Sequence, residues 1–120
     1  MRPIHLAHVD MKRPALVLTR DVARGRMLRV TVAPITSTIK GLATEVAVGH
    51  ANGLDHESVV SLDNIHTIET TDLGEQIGWF LDHQEADLTA ALHAAFDLED
   101  LSSAATQPQT GWLPVRSARC

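Results

Sequence analysis

Over the first eighty residues, no apolar run outlasts the length of a strand before a turn residue or a charge interrupts it. Ile4, Leu6 and Ala7 to Val9 interleave with His5 and His8, an imperfect two-residue alternation that predicts a short strand. Ala15-Leu16-Val17-Leu18 is continuously apolar, as expected of a strand covered on both faces. The polar stretch from Arg20 to Arg26, with Gly25 as its turn residue, reads as a connection. Leu28 to Ala33 predicts a further strand that stops at Pro34, because proline has no N–H to give to a ladder. Thr36 to Gly41 then reads as a hydroxyl-rich loop. Thr44 to Val48, Ser58 to Leu62, Ile65 to Ile68 and Ile77 to Leu81 add short strands, with Asn52-Gly53 as a strong turn signal between the first two. Many short strands punctuated in this way predict a mainly β chain folded as an antiparallel barrel or sandwich.

Only after residue 82 does the period change. Leu88, Ala91, Leu92, Ala95 and Phe96 recur at helical spacing, which predicts one helix over about 83–97 docked on the sheet. Asp82 followed by Glu85 resembles a capping box, with carboxylates placed to take the first backbone N–H groups. Trp79 and Phe80 are adjacent on a strand, so one is expected to face the core and the other outward. With 120 residues there is enough chain for a single domain, expected over 1–101. Residues 102–120 begin with a small, polar stretch and are expected to form a flexible tail.

Charge is unevenly spread. The chain carries −5 overall, yet residues 1–40 hold eight basic side chains and two acids, while 41–115 hold 13 acids and neither Lys nor Arg. Folding the basic third against an acidic remainder makes a dipolar surface, one side of which suits a polyanion. The competing reading of Arg20 to Arg29 is a set of solvated loop charges. No stretch reaches the roughly 18 apolar residues of a membrane helix, the start lacks an apolar secretory core, and a cytoplasmic protein without a membrane partner is expected. The lone cysteine, Cys120, excludes a Cys-built metal cage, and the seven histidines lack ligand spacing, so neither metal nor cofactor is expected.

Four segments in order resemble the MazF/PemK toxins. Lys12-Arg13-Pro14-Ala15-Leu16-Val17-Leu18-Thr19-Arg20-Asp21 is similar to their RPVLVLSRD-type segment, and Ala33-Pro34-Ile35-Thr36-Ser37-Thr38-Ile39-Lys40-Gly41-Leu42 to their APITST segment, with Thr44-Glu45-Val46 following. Leu54 to Ile65 resembles their SVVNLDQI stretch, and Leu73-Gly74 to Ile77-Gly78, with the helix ending in Phe96-Asp97-Leu98, their closing segment. The resemblance covers about residues 4–100. It implies an SH3-like antiparallel barrel with a C-terminal helix (the MazF/CcdB-like toxin fold) that works as a homodimer. It also implies metal-independent cutting of single-stranded RNA at short sequences, leaving a 2′,3′-cyclic phosphate and a 5′-hydroxyl, and inhibition by a cognate antitoxin. The family's catalytic arginine matches Arg13 and its catalytic threonine matches Thr36. Many members carry a longer loop before the RP motif. Here Val9-Asp10-Met11-Lys12 leads almost directly into Arg13, so a loop glutamate has no counterpart and the site is expected to be more open.

The chemistry fits those two residues. Arginine's planar, permanently charged fork holds two phosphate oxygens while negative charge builds on them, but its pKa above about 12 makes it a poor proton shuttle. The hydroxyl of Thr36 is too weak an acid to act alone as a base and suits hydrogen bonding to the phosphate or the 2′-hydroxyl; alternatively it satisfies local backbone groups. Asp10 and His8 lie near Arg13 in sequence and are the candidates for proton transfer, although a strand histidine is more often an ordinary surface residue. Lys40, Ser37, Arg20 and Arg29 are candidate RNA contacts. Aromatic residues make up only 3%, so base reading is expected from loop polar groups rather than stacking platforms. A different class of function, a toxin of the same barrel that binds a topoisomerase without cutting RNA, is distinguished by intact RNA in a cleavage assay.

Overall fold

In the computed structural model, which describes residues 1–9, 11–20 and 27–98, seven strands precede one helix. The strands are β1 (Arg2–His8), β2 (Lys12–Val17), β3 (Arg29–Thr36), β4 (Glu45–Val48), β5 (Ser58–Ser61), β6 (His66–Glu69) and β7 (Leu73–Phe80); the helix is α1 (Glu85–Phe96). Every pairing is antiparallel, in the order β4-β5-β3-β2-β1-β7 with β6 beside β3, and the sheet curls into a half-barrel. Asp10, the connection through Arg24 and Arg26, and the tail from residue 99 lie outside the described residues.

The apolar run of β2 is continuous because both of its faces are covered. Leu16 joins Ile4, Ala33, Val60, Leu62 and Phe80 in the main core, which is closed by Leu88 and Ala91 of α1. Ala15 and Val17 point the other way and pack with Ala7, Val30 and Val32 in a second, smaller cluster. Burying each of the Val, Leu, Ile and Phe side chains among these stabilises by about 1.5–3 kcal/mol. Phe80 is fully buried while Trp79 stays 43% exposed, as their adjacency on a strand requires. No helix among the described residues is long and apolar enough to cross a membrane.

Two local expectations are corrected. β3 does not stop at Pro34 but runs through it to Thr36, so Thr36 is a strand residue and not part of a loop. The Thr31 carbonyl faces β2, accepting from the Leu18 N–H at 2.8 Å, so the even-numbered backbone groups of β3 face the other side. On that side the partner changes from β6, opposite Arg29 to Val32, to β5, opposite Ile35 and Thr36. Pro34 falls in the gap, where a missing N–H interrupts no ladder.

The capping box at Asp82 and Glu85 also fails to form. Asp82 accepts from the N-terminal ammonium at 2.7 Å, and both oxygens of Glu85 accept from Arg2 Nε at 2.9 Å. A single-turn 3-10 segment, Asp82–Gln84, precedes α1, and its entry is held by Gln84 Oε1 accepting from the Leu81 N–H at 2.9 Å. The hydrogen bond and charge of the N-terminus hold the Asp82 carboxyl below its ordinary value. That tie is therefore present at neutral pH and is lost only as pH falls through the lowered value.

The turn His50–Asn52 is riveted to β7. Buried Asn52 donates through Nδ2 to the Trp79 carbonyl at 2.8 Å and to Gln84 Oε1 at 2.7 Å, while its Oδ1 accepts from the Gly49 N–H at 3.1 Å. This packing holds the segment 53–58 against the mouth of the sheet, where the site lies.

Candidate functional site

Strand register brings Arg13 and Thr36 together. Ala15 pairs with Pro34, Leu16 with Ala33 and Val17 with Val32. Carried two residues outward, the same register sets Arg13 beside Thr36, and facing residues of an antiparallel pair share a face. Both side chains line two adjoining cavities at this end of the sheet, of about 340 Å³ and 510 Å³. Arg13 is half-buried with its Nε shut off from solvent. Thr36 is also half-buried, and its Oγ1 accepts from the Thr38 N–H at 3.1 Å. That contact uses a lone pair and leaves the hydroxyl proton to donate, so the local structural role and a role toward a ligand coexist.

Thr38 and Lys40 reach the smaller cavity from the loop after β3, while Ser37 lines the larger one. The loop is folded around a carboxylate. Glu45, the first residue of β4, accepts from the N–H groups of Lys40, Gly41 and Leu42 at 3.2, 2.9 and 3.1 Å. Gly41 makes this convergence feasible with φ +75°, in the left-handed region that suits glycine. Glu45→Ala removes the acceptor at the centre of the loop. The expected result is a several-fold rise in KM for a polyanionic ligand with melting lowered by only a few degrees, measured by titration and thermal unfolding.

The other sequence candidates are placed differently. His8 is exposed at the end of β1 opposite Lys12 and contributes to neither cavity wall. Arg20 and Arg29 lie at the far end of the β2–β3 ribbon, where the register extended past Val17 and Val32 brings them beside each other. Seven residues of strand, roughly 23 Å at about 3.3 Å per residue, separate Arg29 from Thr36. Both are exposed. Asp10 lies outside the described residues.

Several wall residues were not singled out from sequence. Ser61 at the end of β5, with Asp63 and Asn64 just after it, lines the smaller cavity, and Asp55 and His56 before β5, with Ser58 at its start, line the larger. Local sequence shows them as ordinary turn and strand-end residues; the signal is spatial, supplied by β5 pairing beside Thr36 through Val59. Among the described residues no three His, Cys, Asp or Glu side chains gather at metal-binding distance. The arrangement joins a fixed guanidinium, a hydroxyl with a proton to give and the nearby Lys40 ammonium, a set suited to holding a phosphodiester.

Residues 4–96 match the family described as PemK-like, MazF-like toxin of type II toxin–antitoxin system. Endoribonuclease MazF3 of Mycobacterium tuberculosis is 57% identical over 99 residues, covering 82% of this chain and 96% of the relative. The solved structure of the Mycobacterium tuberculosis toxin MazF-mt6 aligns with a TM-score of 0.80 at 56% identity, over 82% of this chain and 99% of that one. A MazE–MazF structure from Deinococcus radiodurans, at 23% identity, shares the fold with a TM-score of 0.66 over 82% of this chain and 93% of the other. With a family match over residues 4–96 and a relative 57% identical across most of both chains, the chain belongs to the PemK/MazF-like family of type II toxin–antitoxin toxins.

Proposed function

We propose that this chain is a metal-independent endoribonuclease toxin that cuts single-stranded RNA at selected sequences, inhibits translation and growth, and is neutralised by a cognate antitoxin. The observation that carries the reading is the shared position of Arg13 and Thr36 on the walls of two adjoining cavities that can take a phosphodiester and its flanking bases. Support comes from relatives named as endoribonucleases, at 57% and 36% identity.

In this reaction the 2′-hydroxyl attacks the adjacent phosphorus, forming a new P–O2′ bond as the P–O5′ bond breaks. The products are a 2′,3′-cyclic phosphate and a 5′-hydroxyl, so the leaving oxygen must gain the proton that the attacking one loses. Arg13 neutralises the charge that grows on the non-bridging oxygens, and the Thr36 hydroxyl donates to one of them or orients the nucleophile. Lys40 and Ser37 hold the neighbouring strand, and Arg20 and Arg29 contact phosphates farther along it. Asp10 and His8 remain candidates for proton transfer, and His56 joins them from the wall of the larger cavity. The working unit is a homodimer. The antitoxin supplies an acidic segment that covers the basic groove and excludes RNA by charge and volume.

Incubation with single-stranded RNA in excess EDTA tests the reading. Discrete fragments with cyclic phosphate and 5′-hydroxyl ends are expected. Thr36→Val, which keeps the shape and deletes the hydroxyl, is expected to slow cleavage by about 10–100-fold. Intact RNA from the unaltered chain, or full activity in Thr36→Val, contradicts the assignment.

A further inference from the structure

Arg13 and Thr36 do not close the back of one pocket. Both contribute to the walls of both cavities, so they form the partition between them. A phosphodiester resting on that partition sends the nucleoside on its 5′ side into one cavity and the nucleoside on its 3′ side into the other. Spaces of about 340 Å³ and 510 Å³ each have room for a base.

The two walls differ in chemistry. Leu6, Met11, Leu54 and Ile77 make much of the larger cavity apolar, a surface that rewards burial of any base. The smaller cavity presents Ser61, Asp63 and Asn64. Their mutual hydrogen bonds determine which atoms they offer. Thr44 Oγ1 donates to Asp63 Oδ2 at 2.6 Å, and Asn64 Nδ2 donates to Ser61 Oγ at 2.9 Å. Asp63 Oδ1 and Asn64 Oδ1 accept no hydrogen bond from the described residues. Two residues of this wall thus each carry a further acceptor oxygen that those two bonds do not use, one of them on a carboxylate.

Resting on the ribonuclease reading, we infer that the smaller cavity is a base subsite next to the scissile phosphate that selects a nucleobase carrying an exocyclic amino group, with Asp63 as its specificity-determining residue. An amino group on cytosine, adenine or guanine donates to the carboxylate. Uracil sets a carbonyl oxygen in the place where cytosine has its amine, and two acceptors then face each other across the subsite. Discrimination of this kind is on the order of 10- to 100-fold per base contact. A carboxylate here also repels any phosphate displaced toward it, which keeps the strand in the register that puts a base in this cavity.

Asp63→Asn reverses the sense of the contact with almost no change of volume. The Thr44 hydroxyl needs an acceptor, so the new amide keeps its carbonyl toward Thr44 and turns its NH₂ into the cavity. The unaltered chain and Asp63→Asn are each given a single-stranded RNA pool of random sequence, and the fragment ends are sequenced to read base frequencies on both sides of the cut. For the unaltered chain, uracil is expected to be depleted by 10-fold or more, relative to cytosine, on one side of the cut. In Asp63→Asn that depletion falls to within a few-fold or inverts, while frequencies on the other side are unchanged. Equal tolerance of uracil and cytosine on both sides by the unaltered chain overturns the inference and leaves the ribonuclease reading intact. So does a uniform loss of cutting in Asp63→Asn with unchanged frequencies. No cleavage of the pool by the unaltered chain overturns both.

Discussion

Arg13→Lys lowers the rate of RNA cleavage by about 10²–10³-fold, the scale of losing one fixed donor aimed at developing charge. The substitution keeps a positive charge, so electrostatic attraction of RNA changes little and KM is expected to move by only a few-fold. What it removes is the planar fork. A guanidinium on the partition between the two cavities reaches two oxygens of one phosphate in a fixed plane, whereas an ammonium is a hydrated point charge on a mobile stem. Thermal unfolding serves as the control, because Arg13 is half-buried and its replacement must leave the β1–β2–β3 pairing in place. A lysine variant that folds normally and cuts near the normal rate contradicts the assigned role.

Gly78→Ala is expected to destabilise the chain by about 3–5 kcal/mol, the sum of a steric clash and a broken buried polar network. A methyl group built at Gly78 lies 1.8 Å from the Asn52 carbonyl oxygen and 3.2 Å from the Gly53 Cα, both backbone atoms that no rotamer change can move aside. Relief requires the turn His50–Asn52 to lift from β7. Lifting it separates Asn52 from the Trp79 carbonyl and Gln84, leaving buried amide groups without partners. At roughly 4–8 °C per kcal/mol for a domain of this size, melting falls by at least about 12 °C. Gly49→Ala is the matched control: the added methyl meets only the Glu57 Cα, at 3.9 Å, and a shift of a few degrees is expected. Equal melting of the two variants contradicts the close packing of this turn on β7.

These two effects differ in how far they were legible in the sequence. Arg13 and Thr36 stand out because each sits in a compact motif, and the β2–β3 register, extended two residues outward, converts positions 23 apart in the chain into neighbours on the same cavity walls. The clash at Gly78 is invisible to a local window, since the opposing carbonyl belongs to a turn 26 residues earlier. Nonlocal partners also explain the two local misreadings. Pro34 is a stop signal by its chemistry, yet β3 passes through it because the neighbouring strand changes there. Asp82 and Glu85 have the spacing of a capping box, yet the N-terminus and Arg2 claim both carboxylates across more than eighty residues. Ser61, Asp63 and Asn64 carry no local signal, because their residue types are common at strand ends. Only the pairing of β5 with the end of β3 brings them to the site.

A single structure tests the central claim most directly: the chain bound to a short single-stranded RNA whose 2′-hydroxyl at the cleaved nucleotide is replaced by hydrogen, so that attack cannot begin. The account predicts that the scissile phosphate lies between the Arg13 guanidinium and the Thr36 hydroxyl, within about 2.7–3.2 Å of a donor from each, with one flanking base in each cavity. A phosphate held elsewhere, such as on Arg20 and Arg29 at the far end of the ribbon, with both cavities empty of bases, contradicts it.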